Sequence, residues 1–264
     1  MQQDSKTLFI LLFWASSLAV LLIFIYLYQM GLPQIIQEKS RGLIHRTLMS
    51  NVLLLIFSVY GVLIRYGGMK AEALGLDPKK IHIAVKLAVI IWISVQLIQG
   101  LVGYTINGRI SIDPSWENDS NSNIGLLIGM LLGTAFYEEI GFRGFLLTQF
   151  TISNQGRNRT HAIALALIKS QILFTALHIP WKVMNQGWTT AIIPDLVFSV
   201  FMNGTIYGVI YLRTQNLFFV MFVHALGNAP TSLIQPSINP SSTVLLLAII
   251  SYATWPFLVA RLTR

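Results

Sequence analysis

Three stretches of the sequence set residues capable of chemistry four positions apart: Glu139 and Arg143, Phe174 and His178, and His224 and Asn228. That spacing puts both members of a pair on one helix face. Glu138, directly before Glu139, points about 100° away round the same helix and needs a partner of its own. All three stretches lie in long apolar runs. An ionisable side chain at the centre of a bilayer costs about 2.5–3.5 kcal/mol on insertion scales, so these groups must face a protein interior or a water-filled cavity. Glu139 with Arg143 alone would read as a clamp between helices. A second carboxylate, two histidines and an asparagine on three helices are costly as mere packing and point to chemistry.

The chemistry such a set can run is hydrolysis. A carboxylate and an imidazole can hold and deprotonate a water. A second histidine and an asparagine can donate to a developing oxyanion. Glu138, His178 and His224 are also zinc-ligand types, with room for a water in the fourth position. The chain has no cysteine, so neither a disulfide framework nor a thiolate metal site is available. G-x-S-x-G and H-E-x-x-H do not occur in it. Ser170, two turns before His178, is near a base only along the helix.

The elements that must position these residues are membrane helices. The chain is 54% hydrophobic and 11% charged, with a mean hydropathy of +0.65; soluble domains carry about 25% charged residues. We expect an all-α polytopic protein with about eight spans: 7–28, 47–66, 81–106, 124–150, 162–179, 194–212, 217–235 and 243–260. The first run is too long for a signal-peptide core and reads as a retained helix. Pro180 is expected to end the fifth span, and Trp181, Lys182 and Trp188 to lie in an interfacial segment. The polar connection 107–123 reads as solvated, and the stretch 154–159 as a turn. We divide the chain into N-terminal spans over 1–106 and a catalytic membrane core over 107–264.

The net charge of +8 is spread over short loops. It suits contact with anionic lipid headgroups, and no basic cluster interleaved with aromatics suggests nucleic acid. With eight spans both ends share a side. That side holds Lys6, Arg65, Lys70, Lys79, Lys80, Arg157, Arg159, Arg213, Arg261 and Arg264; the other holds Lys39, Arg41, Arg46, Arg109 and Lys182. The excess of Lys and Arg predicts cytoplasmic termini, in a prokaryotic cell membrane or an equivalent organelle membrane.

Glu138-Glu139-x-x-x-Arg143, Phe174-x-x-x-His178 and His224-x-x-x-Asn228, in this order on three apolar helices, resemble the CPBP intramembrane proteases. This is the family of CAAX prenyl endopeptidases and bacteriocin-processing or self-immunity proteins, also called Abi. Phe142-Arg143-Gly144 and the run Tyr211–Leu217 leading to His224-Ala225 fit as flanks. The resemblance covers residues 124–230; residues 1–106 match only as generic spans. It implies that Glu138 and His178 activate a water, that His224 and Asn228 form an oxyanion site, and that Glu139 and Arg143 position Glu138. It implies a peptide or protein substrate, lipidated or otherwise membrane-associated, cut near its C-terminus. It favours a metal-free mechanism; zinc, if used, would fall to Glu138, His178 and His224. Two rivals are a non-catalytic immunity or scaffold protein that keeps the cluster for packing, and a transporter. The chain lacks the paired, interrupted halves that would favour transport.

Overall fold

The structure is a computed structural model; it describes residues 3–154, 156 and 158–262. Gln155, Arg157 and Arg264, used above for the turn and for the charge balance, lie outside the described residues. Among the described residues, seven helices are long and apolar enough to cross a membrane. We label the principal helices α1 (Gln3–Gln29), α2 (Leu32–Lys39), α3 (Arg46–Tyr66), α4 (Ile81–Asn107), α5 (Ser120–Ser153), α6 (Arg159–Gln186), α7 (Ile192–Thr214), α8 (Leu217–Asn228) and α9 (Pro240–Leu262). The all-α polytopic architecture is as expected, with seven crossings and one shorter apolar helix in place of eight.

The shorter helix is α8, and the expected span 217–235 stops at Asn228. Its 12 residues reach only about 18 Å, short of a bilayer core. Pro230 explains the stop. A residue before proline is pushed out of the α region, and Ala229 adopts φ −139°, ψ 77°. Irregular backbone at membrane depth is tolerated only where protein satisfies it, and here α4 supplies the partners. Gln96 Oε1 accepts from Leu233 N at 2.8 Å, and Gln99 bonds Ser237 N and Ile238 O, each at 3.0 Å. Ile112 and Ile234 form an antiparallel bridge, and Trp116 Nε1 donates to Ser232 O at 2.8 Å.

The fifth span also departs from expectation. α6 continues through Pro180 to Gln186. Proline removes one helical donor and clashes with the carbonyl four residues back, at about 3 kcal/mol. Packing offsets that cost here: α6 lies against α1, α5 and α7, Trp14 Nε1 donates to Leu173 O at 3.0 Å, and Lys182 pairs with Asp195 at the start of α7. His178 therefore sits within the helix rather than at its end.

α8 and the irregular segment after it together carry the chain across once more, so the two chain ends lie on one face of the bundle. Contacts between connections agree. On that face Lys80 Nζ donates to Gln215 O at 2.7 Å, and Lys86 Nζ reaches Leu262 O at 3.3 Å. The far face holds α2, the 108–119 connection and the segment after α8. α3 and α5 run in the same direction and pack closely, with Asn51 Nδ2 donating to Thr134 Oγ1 at 3.0 Å. Phe13 of α1 meets Tyr137, Phe142 and Phe145 of α5 in a fully buried aromatic group.

Candidate active site

α5 sets its two glutamates to different tasks by rotation alone. Glu139 and Arg143 turn inward and are completely buried. Arg143 Nη1 lies 3.1 Å from Glu139 Oε1, one helical turn away. Arg143 Nη2 donates to Gly204 O of α7 at 2.9 Å, and its guanidinium lies 4.9 Å above the Phe174 ring. A side chain at position 204 would come within 2.2 Å of Gln171 Oε1, so glycine lets α7 approach closely enough to receive the arginine. Turns of α5 over Glu139–Leu147 are widened in π fashion, a distortion common at functional sites.

Glu138 faces outward into a cavity of about 470 Å³. Its two oxygens meet two imidazoles. His178 Nε2 of α6 is 3.6 Å from Oε1, and His224 Nε2 of α8 is 3.7 Å from Oε2. Both separations exceed a direct hydrogen bond, and both suit one water touching carboxylate and imidazole together. His178 Nδ1 lies 2.9 Å from Phe174 O. A carbonyl only accepts, so Nδ1 carries hydrogen and Nε2 of the neutral ring is free to accept from a water. The pair Phe174 and His178 thus acts as a unit: its backbone fixes the ring, and its side chain floors Arg143.

His224 is held from behind. Its Nδ1 is 2.7 Å from Glu139 Oε1, and its ring stacks on Tyr207 at 4.7 Å. Glu139 therefore serves His224 and Arg143 at once and ties α5, α7 and α8 together. An ionised Glu139 accepts the Nδ1 proton, so Nε2 donates to an oxyanion only when the ring is doubly protonated, with Glu139 as counter-ion. Asn228 lies one turn beyond His224, at the last residue of α8, where it is exposed. No hydrogen bond links it to the cluster among the described residues. The structure thus gathers Glu138, Glu139, Arg143, His178 and His224; Glu138 and His178 line the cavity, with the other three sealed beside it.

Several contributors were not assigned to the site from the sequence. Asn51, Thr134, His45 and Arg46 line the cavity, and Gln171, Gly204 and Tyr207 surround the buried pair. Asn51 and Gln171 are polar residues inside apolar spans, a cue that could have found them. Glu139 Oε2, Arg143 Nε and both side-chain polar atoms of Gln171 are buried without a hydrogen-bond partner among the described residues.

The donor types named for zinc are present, but among the described residues no three His, Asp or Glu side chains are arranged to hold a metal ion. The imidazoles address opposite oxygens of Glu138, and Glu139 is already engaged by His224 and Arg143. The residues therefore do not fit a zinc centre as placed.

Residues 120–230 match the family model described as Rce1-like, type II CAAX prenyl endopeptidase. Glu138, Glu139, Arg143, His178, His224 and Asn228 all fall within the matched segment. Searches of curated proteins and of solved structures return no match. The family is one of peptidases, whose substrates are peptides or proteins. Over residues 120–230 the chain is thus similar to the type II CAAX prenyl endopeptidases, which supports its resemblance to the CPBP intramembrane proteases.

Proposed function

We propose that the protein is an intramembrane endopeptidase that cleaves a membrane-associated peptide with a water activated by Glu138 and His178. The observation that carries this reading is the carboxylate of Glu138 in the cavity wall, faced by the Nε2 atoms of His178 and His224 at 3.6 and 3.7 Å. A water between Glu138 and His178 gives a proton to the carboxylate as its oxygen attacks the scissile carbonyl. The developing oxyanion is stabilised by Nε2–H of a doubly protonated His224, with the Asn228 amide as second donor once the substrate is seated. The proton then passes from Glu138 to the leaving nitrogen. Glu139 and Arg143 position both Glu138 and His224.

The substrate reading rests on the walls. Leu21, Phe24, Leu54, Leu126, Met130 and Leu177 make the cavity apolar on most sides, which suits an apolar or prenylated C-terminal segment. The mechanism needs no metal. The test is a purified protein offered a panel of prenylated and unprenylated C-terminal peptides, with cleavage read by mass. Cleavage that survives dialysis against a strong chelator and disappears in Glu138→Gln is expected. Loss on chelation with recovery on stoichiometric zinc would make His178 and His224 ligands. No cleavage of any peptide, with tight binding retained in Glu138→Gln, would favour a non-catalytic binding protein.

A further inference from the structure

The cavity belongs to one face of the bundle. Its rim is His45, Arg46 and Thr47 at the first turn of α3, with Trp181 of α6 opposite. Its floor is Glu138 and His178. Tyr137 and Glu138 lie at the middle of α5, and every other lining residue comes from the half of its helix nearer the far face, away from the chain ends. Arg46 at the mouth is exposed and is held by Tyr28, whose hydroxyl accepts from Nη1 at 3.2 Å and whose ring lies 5.7 Å from the guanidinium. Beside the mouth, α2 carries Leu32, Ile35 and Ile36 exposed on one side and Lys39 at its end. Such a short amphipathic helix lies in the plane of the headgroups.

Charge divides between the two faces unequally. The far face carries Lys39, Arg41, Arg46, Arg109 and Lys182 against Glu38, Asp113, Glu117, Asp119 and Asp195, so it is neutral overall. Lys182 is further tied to Asp195. On the face that holds the chain ends, the connection from α3 to α4 alone has Lys70, Lys79 and Lys80, and Arg65, Arg159, Arg213 and Arg261 sit at helix ends. Glu72 and Asp77 are the acids of that connection, and Asp4 lies at the N-terminal end. Lys and Arg in short connections mark the cytoplasmic side.

We infer that the cavity opens to the extracytoplasmic side of the membrane, and that the peptide it cuts is presented there, at the outer headgroup level. This rests on the endopeptidase reading for the cutting, and on charge and geometry alone for the side. It sets the substrate class: an exported or surface-exposed peptide enters between α2–α3 and α6, and a tail anchored on the cytoplasmic leaflet cannot reach Glu138.

The native chain has no cysteine, so single-cysteine variants report position directly. Asn121→Cys probes the far face, Ser50→Cys the cavity wall, and Lys70→Cys the opposite face. Each is expressed in bacterial spheroplasts and treated with a membrane-impermeant maleimide before and after permeabilisation. The expected result is labelling of Asn121→Cys and Ser50→Cys in intact spheroplasts, with at least tenfold slower labelling of Lys70→Cys until permeabilisation. The reverse pattern overturns the inference. So does Ser50→Cys that reacts only after permeabilisation while Asn121→Cys reacts before it. If Asn121→Cys does not accumulate, Trp188→Cys reads the same face. Labelling needs no turnover, so an inactive protein labelled as expected would fail the endopeptidase reading and keep the side.

Discussion

In the proposed mechanism Glu138 and Glu139 are neighbours with opposite duties, and the division can be measured. Glu138→Gln keeps the shape and removes the proton acceptor; turnover should fall by about 10²–10⁴, with the detergent melting temperature unchanged. Arg143→Ala leaves Glu139 buried beside an imidazole alone. Breaking one partner from a buried pair costs about 3–5 kcal/mol, so this variant should melt earlier as well as lose activity. Equal loss of fold in both would show that the glutamates are not specialised. Asn228→Ala should lower kcat by about 10²–10³ with little change in KM, the effect of losing one oxyanion donor; an unchanged kcat would assign that role to His224 alone. The spacing of four made Glu139 and Arg143 legible as a pair in the sequence. That Glu139 also holds His224, 85 residues away, was not legible, because periodicity reports faces of one helix and says nothing of which faces meet.

At the scale of elements, the cap of α3 ties the cavity rim to pH. His45 accepts from Thr47 N at 3.2 Å through Nδ1, which requires an unprotonated nitrogen. Burial, and then the neighbouring Arg46, hold its imidazole below the ordinary 6.5. The folded state therefore binds a proton less readily than the unfolded chain. Stability from this group is present above about 6.5 and is lost as pH falls towards the lowered folded value. His45→Asn should preserve the cap and flatten that part of the melting-temperature profile; an identical profile in both proteins would remove His45 from the account. Proline had opposite outcomes in two helices. Pro230 ended α8 as local sterics predict, whereas α6 ran through Pro180. The difference is tertiary: α6 is held on both sides of its proline by α1 and α7, while the backbone after Ala229 finds ready partners in Gln96 and Gln99.

For the whole molecule, the cavity is the shared product of both parts of the chain. We propose that residues 107–264 form the catalytic core and that the spans within 1–106 complete its wall, since Leu21, Phe24, Asn51 and Leu54 line the space before Glu138. Met130→Trp, which fills part of it from α5, should lower kcat/KM at least tenfold, about 1.4 kcal/mol, while leaving the fold intact. Full activity in that variant would mean that substrate takes another path. The membrane class, nearly all the spans and the ordered residues of the candidate site could be read from the sequence. Hydropathy and spacing are local quantities, and a bilayer makes them decisive because each backbone group must be satisfied within its own helix. Which glutamate faces the cavity, where α8 stops, and that the cavity opens away from the chain ends emerge from the packed fold. Those depend on how helices distant in sequence pack, on partners such as Gly204 and Gln99, and on rotation about helix axes that no pattern of residues along one segment can fix.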